Sequence, residues 1–256
     1  MCIRDRHIFK LAAIFCTVVS VHSTASADVT AVWQETTESL AKQVLERSNI
    51  VSDFVQLIDS HFLAQSDQFK NLSVTISDTP TPTIGDTEIT LPYSYITGAI
   101  VAHAELEETR EAALERALDT VEYTLYHLFG HYLAKDKSPD ADDTAESLSS
   151  WLMIKSFPNG GEQWFENVTA FGRASQLLDG PLSDYWHNHS LYKSRQRKIN
   201  CWILGSNPEE YERLLKPVLE PEKRRADCIV EWQTLNTQSI ELLQSHLQPD
   251  SILLIE

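Results

Sequence analysis

Two imidazoles stand four residues apart in His127-Leu128-Phe129-Gly130-His131, near the end of a long segment with helical periodicity. On a helix this spacing puts both rings on one face, one turn apart, so they can close on a single metal ion. A carboxylate directly after the first histidine could take a proton from a water held beside such a metal. Here that position is Leu128, which has no proton-accepting atom. The pair therefore offers metal ligation without an adjacent base. Histidines at this spacing also occur on helices that bind nothing.

Acids supply the second half of a possible site. Eleven residues after His131 come Asp142 and Asp143, with Glu146 following in the same segment. One acid near a two-histidine helix can serve as a third ligand and leave a fourth coordination position open. An acid one turn further along the same face can hold a ligand imidazole by its other ring N–H. Carboxylates also suit the positive end of a helix dipole, so residue type alone fits both readings.

Periodicity gives the elements that must position these groups. The pattern from Ala31 to about Gln65 predicts two helices that part at Ser48-Asn49. Leu72 to Ile76 alternates apolar and polar residues, which predicts a half-buried strand. A Pro-rich connection then leads to a second strand, Glu88 to Leu91, which Pro92 ends or marks as an edge. The chain reads as helical from there to about Ala134, with a break near Glu107 to Glu111. Leu114, Leu118, Val121, Leu125, Leu128 and Tyr132 recur in steps of four and three, the mark of a buried helix face. Leu128 thus has a place in the core, and the histidines continue a neighbouring face through Thr120 and Thr124.

Further helices are predicted over 142–156, 162–178, 193–204, 209–219 and 223–246, with an aromatic and histidine-rich loop from Tyr185 to His189. The fold class is mainly α with a small β-sheet (α+β). With no internal repeat and no linker-like tract, residues 28–256 read as a single domain.

The N-terminus stands apart. Arg4, Arg6 and Lys10 precede an apolar run from Leu11 to Val21, and Ala25-Ser26-Ala27 fits a cleavage site. Residues 1–27 read as a signal peptide, cut near Ala27, with a periplasmic or secreted product. The run is too short to span a membrane, and no later stretch is long enough. Its removal takes three basic residues and one acid, leaving 18 basic against 36 acidic residues, a net charge of −18. Such a surface repels phosphate backbones, which argues against nucleic-acid partners. Cys201 and Cys228 are then the remaining cysteines, an even number in an exported chain, and most simply form one disulfide.

The order of these features resembles a family of bacterial secreted zinc metallopeptidases, gluzincin-like in motif and formerly carried as a domain of unknown function. Its pattern runs H-E-L-G-H, an E-x-x-x-D segment, an H-x-L loop followed by an arginine, C-x-x-x-G and R-x-x-x-C. Here those positions are His127 to His131, Asp142 to Glu146, His189 to Leu191 with Arg195, Cys201 to Gly205, and Arg224 to Cys228. The resemblance covers most of residues 70–245.

It implies a zincin-like architecture and zinc as the cofactor, held by His127, His131 and Asp142, with Glu146 supporting a ligand imidazole. It also implies His189 as a group able to stabilise a developing oxyanion, and a peptide or protein as substrate or ligand. The chain departs from the family at several positions. Leu128 removes the general base, whose assistance is typically worth about 10²–10⁴-fold. Asp142 is one methylene shorter than the family's glutamate, and Glu146 one longer than its aspartate. Pro92 stands where a cysteine near the strands is expected. The expectation is a metallopeptidase-like exported protein with weak or lost peptide hydrolysis. The alternative is a non-catalytic periplasmic binding or scaffolding module on the same fold.

Overall fold

A computed structural model describes residues 29–63, 69–134, 141–177, 193–215 and 223–254. The expected signal peptide and the loop carrying His189 lie outside the described residues. Strand β1 (Thr30–Trp33) is followed by helices α1 (Ser39–Ser48) and α2 (Ile50–His61). Strands β2 (Ser73–Ser77), β3 (Thr83–Ile84) and β4 (Glu88–Pro92) come next. The rest is helical: α3 (Tyr93–Leu106), α4 (Arg110–Ala134), α5 (Ala141–Ser156), α6 (Gly160–Ala174), α7 (Lys193–Ser206), α8 (Pro208–Leu215) and α9 (Lys223–Leu243). The mainly helical class with a small sheet is as expected. Among the described residues no helix is long and apolar enough to cross a membrane.

The sheet is larger than the sequence pattern suggests. Its order is β1-β2-β4-β3, with β1 and β4 parallel to β2 and β3 antiparallel to β4. From β2 the chain runs to the far edge as β3, then turns back to insert β4 beside β2. The turn is closed by the Gly85 N–H donating to the Glu88 carbonyl at 2.7 Å.

Two expectations change here. Ala31 and Val32 belong to a strand and not to a helix; three of its four residues are exposed, so no apolar periodicity marks it. Its conformation comes from pairing with β2, far along the chain. Strand β2 is also buried on both faces, not one. Its polar Thr75 tolerates this because its hydroxyl donates to Glu88 Oε1 at 2.6 Å.

The predicted breaks fall where expected. Asn49 adopts a left-handed conformation, φ 60°, between α1 and α2, a backbone state that asparagine reaches more easily than most residues. Pro92 ends β4 and stands at the N-terminus of α3. Helix α4 is the central element, about 37 Å long at 1.5 Å per residue. It packs on α3, α5 and α6. Val121, Leu125, Leu128 and Tyr132 of the predicted stripe are buried, while Leu114 and Leu118 are partly so. Below the stripe, Phe54 of α2 meets Tyr126 and Phe129 of α4 edge-on, with ring centroids 5.1 and 5.5 Å apart. Such pairs add about 0.5–1.5 kcal/mol beyond area burial.

The cysteine pair forms the expected disulfide, Cys201–Cys228, joining α7 to α9 across 27 residues of sequence. In the chain-entropy account a loop of this length is worth about 3–4 kcal/mol. Gly205 lies one turn after Cys201, and a Cβ there would meet the Cys228 carbonyl oxygen at 2.0 Å. The C-x-x-x-G spacing therefore brings the two backbones into contact where the bond is made.

Candidate metal centre

The face of α4 that carries the histidines is polar for about three turns, from Thr120 to His131, and its threonines are hydrogen-bonded to α3. Thr120 Oγ1 lies 2.9 Å from His103 Nε2 of α3, and Thr124 is hydrogen-bonded to Tyr95 of α3. One turn on, His127 and His131 turn their Nε2 atoms toward each other, 3.1 Å apart, with the rings nearly perpendicular. Helix α5 meets this face with two acids one turn apart. Asp142 Oδ1 lies 3.2 Å from His131 Nε2, and Glu146 Oε1 lies 3.1 Å from His127 Nδ1. The acids thus divide between the histidines: Asp142 joins the two Nε2 atoms, and Glu146 supports the opposite side of the first ring.

This approach depends on Gly130. A Cβ at that position would stand 2.3 Å from the backbone carbonyl oxygen of Ala145. The glycine of the H-x-x-G-H sequence lets α5 lie directly against α4. Ala145 sits between Asp142 and Glu146 in sequence, so this contact sets the reach of both acids.

Do these residues fit a metal? His127, His131 and Asp142 each offer one ligand atom, all within 4.8 Å of one another. Tetrahedral zinc with bonds of about 2.0–2.1 Å separates neighbouring ligand atoms by roughly 3.3–3.4 Å. The two short separations, 3.1 and 3.2 Å, are close to that edge length. Charge points the same way. Asp142, Asp143 and Glu146 face a single described guanidinium, Arg195, leaving the cluster two negative charges in excess when the imidazoles are neutral. Glu146 is 3% exposed, and its Oε2 is buried with no hydrogen-bond partner among the described residues. A dication suits such a donor set.

Arg195 of α7, the arginine of the family-like pattern, bridges two acids. Its Nη1 lies 3.2 Å from Asp142 Oδ2 and its Nε 3.2 Å from Asp143 Oδ1. Burial opposes its charge, but Asp142, Glu146 and Asp143 outweigh that and hold the guanidinium protonated above its ordinary range. Asp142 thereby presents one oxygen to the histidines and the other to Arg195.

Leu128 is 2% exposed and belongs to the hydrophobic core. Asp143, the nearest acid in sequence to Asp142, is turned outward, with its side chain 56% exposed. Glu146 lies on the Nδ1 side of His127, away from the point where the Nε2 atoms converge. A further residue was not singled out by motif: Tyr123, one turn before His127, donates its hydroxyl to Glu146 Oε1. Its position four residues before a candidate ligand was the available signal.

The site is thus a group of two histidines and one carboxylate that could hold a metal ion, set on two helices packed at a glycine. The chain belongs to the protein family described as "Putative metallopeptidase", whose profile matches residues 31–243. No curated protein and no solved structure matches it.

Proposed function

We propose that this is an exported, zinc-binding member of the metallopeptidase family in which peptide hydrolysis is weak or lost. His127 Nε2, His131 Nε2 and Asp142 Oδ1 would hold the metal, and the family membership supports a metal-dependent, peptidase-like reading. Zinc so held supplies Lewis acidity toward a carbonyl or water oxygen. The observation that carries the loss of activity is Leu128, an apolar core side chain at the position after the first histidine. Neither acid nearby takes over that position: Asp143 is bound to Arg195, and Glu146 is committed to the far side of His127. The same observation favours, as a second reading, a periplasmic binding or scaffolding module that uses the site to hold a metal or a peptide without cleaving it.

Metal analysis of the purified protein, paired with hydrolysis of an unfolded protein substrate, tests this reading. The expected result is about one zinc per chain, lost in His127→Ala, with hydrolysis near background. Absence of zinc would end the metal assignment. Robust hydrolysis by the unmodified protein, abolished by chelator, would end the claim of lost activity.

A further inference from the structure

The structure places a third buried side chain behind the candidate metal centre. Tyr123 of α4 is 1% exposed, and its hydroxyl donates to Glu146 Oε1, the same oxygen that lies 3.1 Å from His127 Nδ1. Its ring stacks on the His127 imidazole at 5.7 Å with 11° between planes. From α6, Trp164 stacks on the ring of Tyr123 at 5.2 Å and Phe171 packs against it at 4.3 Å. Trp164 is itself held, because its indole N–H donates to Ser150 Oγ of α5 at 2.9 Å. Tyr123 is therefore a fixed donor, locked by aromatic packing and aimed at the carboxylate behind the first histidine.

We infer that Tyr123 is a positioning residue for the metal centre, acting through Glu146 on His127. The inference rests on the reading of His127 as a metal ligand. A glutamate carries one methylene more than an aspartate, hence one more rotatable bond to hold. Here it must present one oxygen to Nδ1 of a ring on the neighbouring helix. The hydroxyl of Tyr123 fixes that oxygen from the other side. A carboxylate oxygen 3.1 Å from Nδ1 favours the ring proton on that nitrogen, which leaves the Nε2 lone pair facing His131 and Asp142. The chain thus has a relay, Tyr123 to Glu146 to His127, which sets the tautomer and direction of one ligand before any metal arrives. It also makes α6 part of the site, although α6 supplies no ligand.

Two measurements test this. In the metal-free protein, ¹⁵N shifts of His127 should report a proton on Nδ1; a proton resident on Nε2 would overturn the inference without any variant. Zinc affinity, titrated against a chromophoric chelator, should fall about 10–100-fold in Tyr123→Phe, the range usual for loss of an outer partner of a ligand. That variant keeps the stacked ring, so its circular dichroism should match the parent. In a Glu146→Gln background the same change should have little further effect, because the relay is already broken. Unchanged affinity in Tyr123→Phe, or an equal loss in both backgrounds, would overturn the inference. If the unmodified protein binds no zinc, the metal reading falls, while the ¹⁵N measurement still decides whether the relay sets the tautomer.

Discussion

The carbonyl oxygen of Ala145 occupies the space where a side chain at Gly130 would begin, 2.3 Å from an ideal Cβ. This contact between α4 and α5 sets the distance from which Asp142 and Glu146 reach the histidines. Gly130→Ala should therefore do more than remove a little chain flexibility. Backbone cannot rotate aside as a side chain can, so the helices must part locally, at an overpacking cost of about 1–3 kcal/mol. Zinc affinity should fall by a larger factor than in variants equally destabilised elsewhere in the core. Thermal unfolding and zinc titration of the same variant check this; retained affinity despite lowered stability would show that the contact does not govern the site.

Arg195 counters the charge of Asp142 and Asp143. Without metal, replacing it with alanine leaves the acids repelling one another, and stability should fall by on the order of 1 kcal/mol. With metal the sign reverses, because the excess negative charge now favours the dication. The rise in melting temperature on adding zinc should thus be larger in Arg195→Ala than in the parent. A smaller rise would mean that the guanidinium matters more for aiming Asp142 than for neutralising it.

Stability should also depend on pH through an acid of α4 that is not among the candidate ligands. Glu122 of α4 accepts hydrogen bonds from Asn167 and Gln163 of α6 at 3.0 and 3.2 Å. Burial nonetheless pushes its pKa up from 4.5 to about 7. An acid whose pKa is raised on folding binds its proton more tightly in the native state, so its contribution weakens as pH rises. The loss should run from pH 4.5 to about 7 and then level off. His103 opposes this slope, since burial lowers its pKa to about 4 and charging it at low pH costs stability. Comparing Glu122→Gln with the parent cancels that background. In urea titrations without metal, the variant should gain on the parent by on the order of 1–3 kcal/mol as pH rises through the window. A difference that does not change with pH would refute the assignment.

What the sequence reveals and what it hides follow from the range of the forces involved. Helix α4, its break from α3 and the turn at Asn49 are set by local periodicity and backbone preference, and all are legible. The i, i+4 spacing of His127 and His131 likewise survives from sequence to structure, because helix geometry alone brings the rings together. The division of labour between Asp142 and Glu146 is harder to read, since it requires knowing which face of α5 meets α4. Gly130 carries that information, but its reason appears only with Ala145 in place. Strand β1 is hidden for another cause: its residues are exposed and its partner lies far along the chain. Tyr123 falls between these cases. Its spacing from His127 is visible, but aromatic residues at helical spacing are usually core, and only the contact with Glu146 distinguishes it.

Leu128 offers the sharpest test of what this site can do. At 2% exposure it sits in the core, so Leu128→Glu asks a carboxylate to leave water. Unpaired, that costs several kcal/mol, or the group stays protonated and cannot act as a base. The metal-free variant should accordingly unfold at a lower temperature than the parent. Zinc beside the new carboxylate would favour its charged form, so added zinc should recover part of the loss. If base assistance is what the protein lacks, the zinc-loaded variant should hydrolyse an unfolded protein substrate about 10² times faster than the parent or more. That activity should vanish with chelator. A folded, zinc-loaded Leu128→Glu protein no faster than the parent would place the deficit elsewhere, and the reading of Leu128 as the lost base would not survive it.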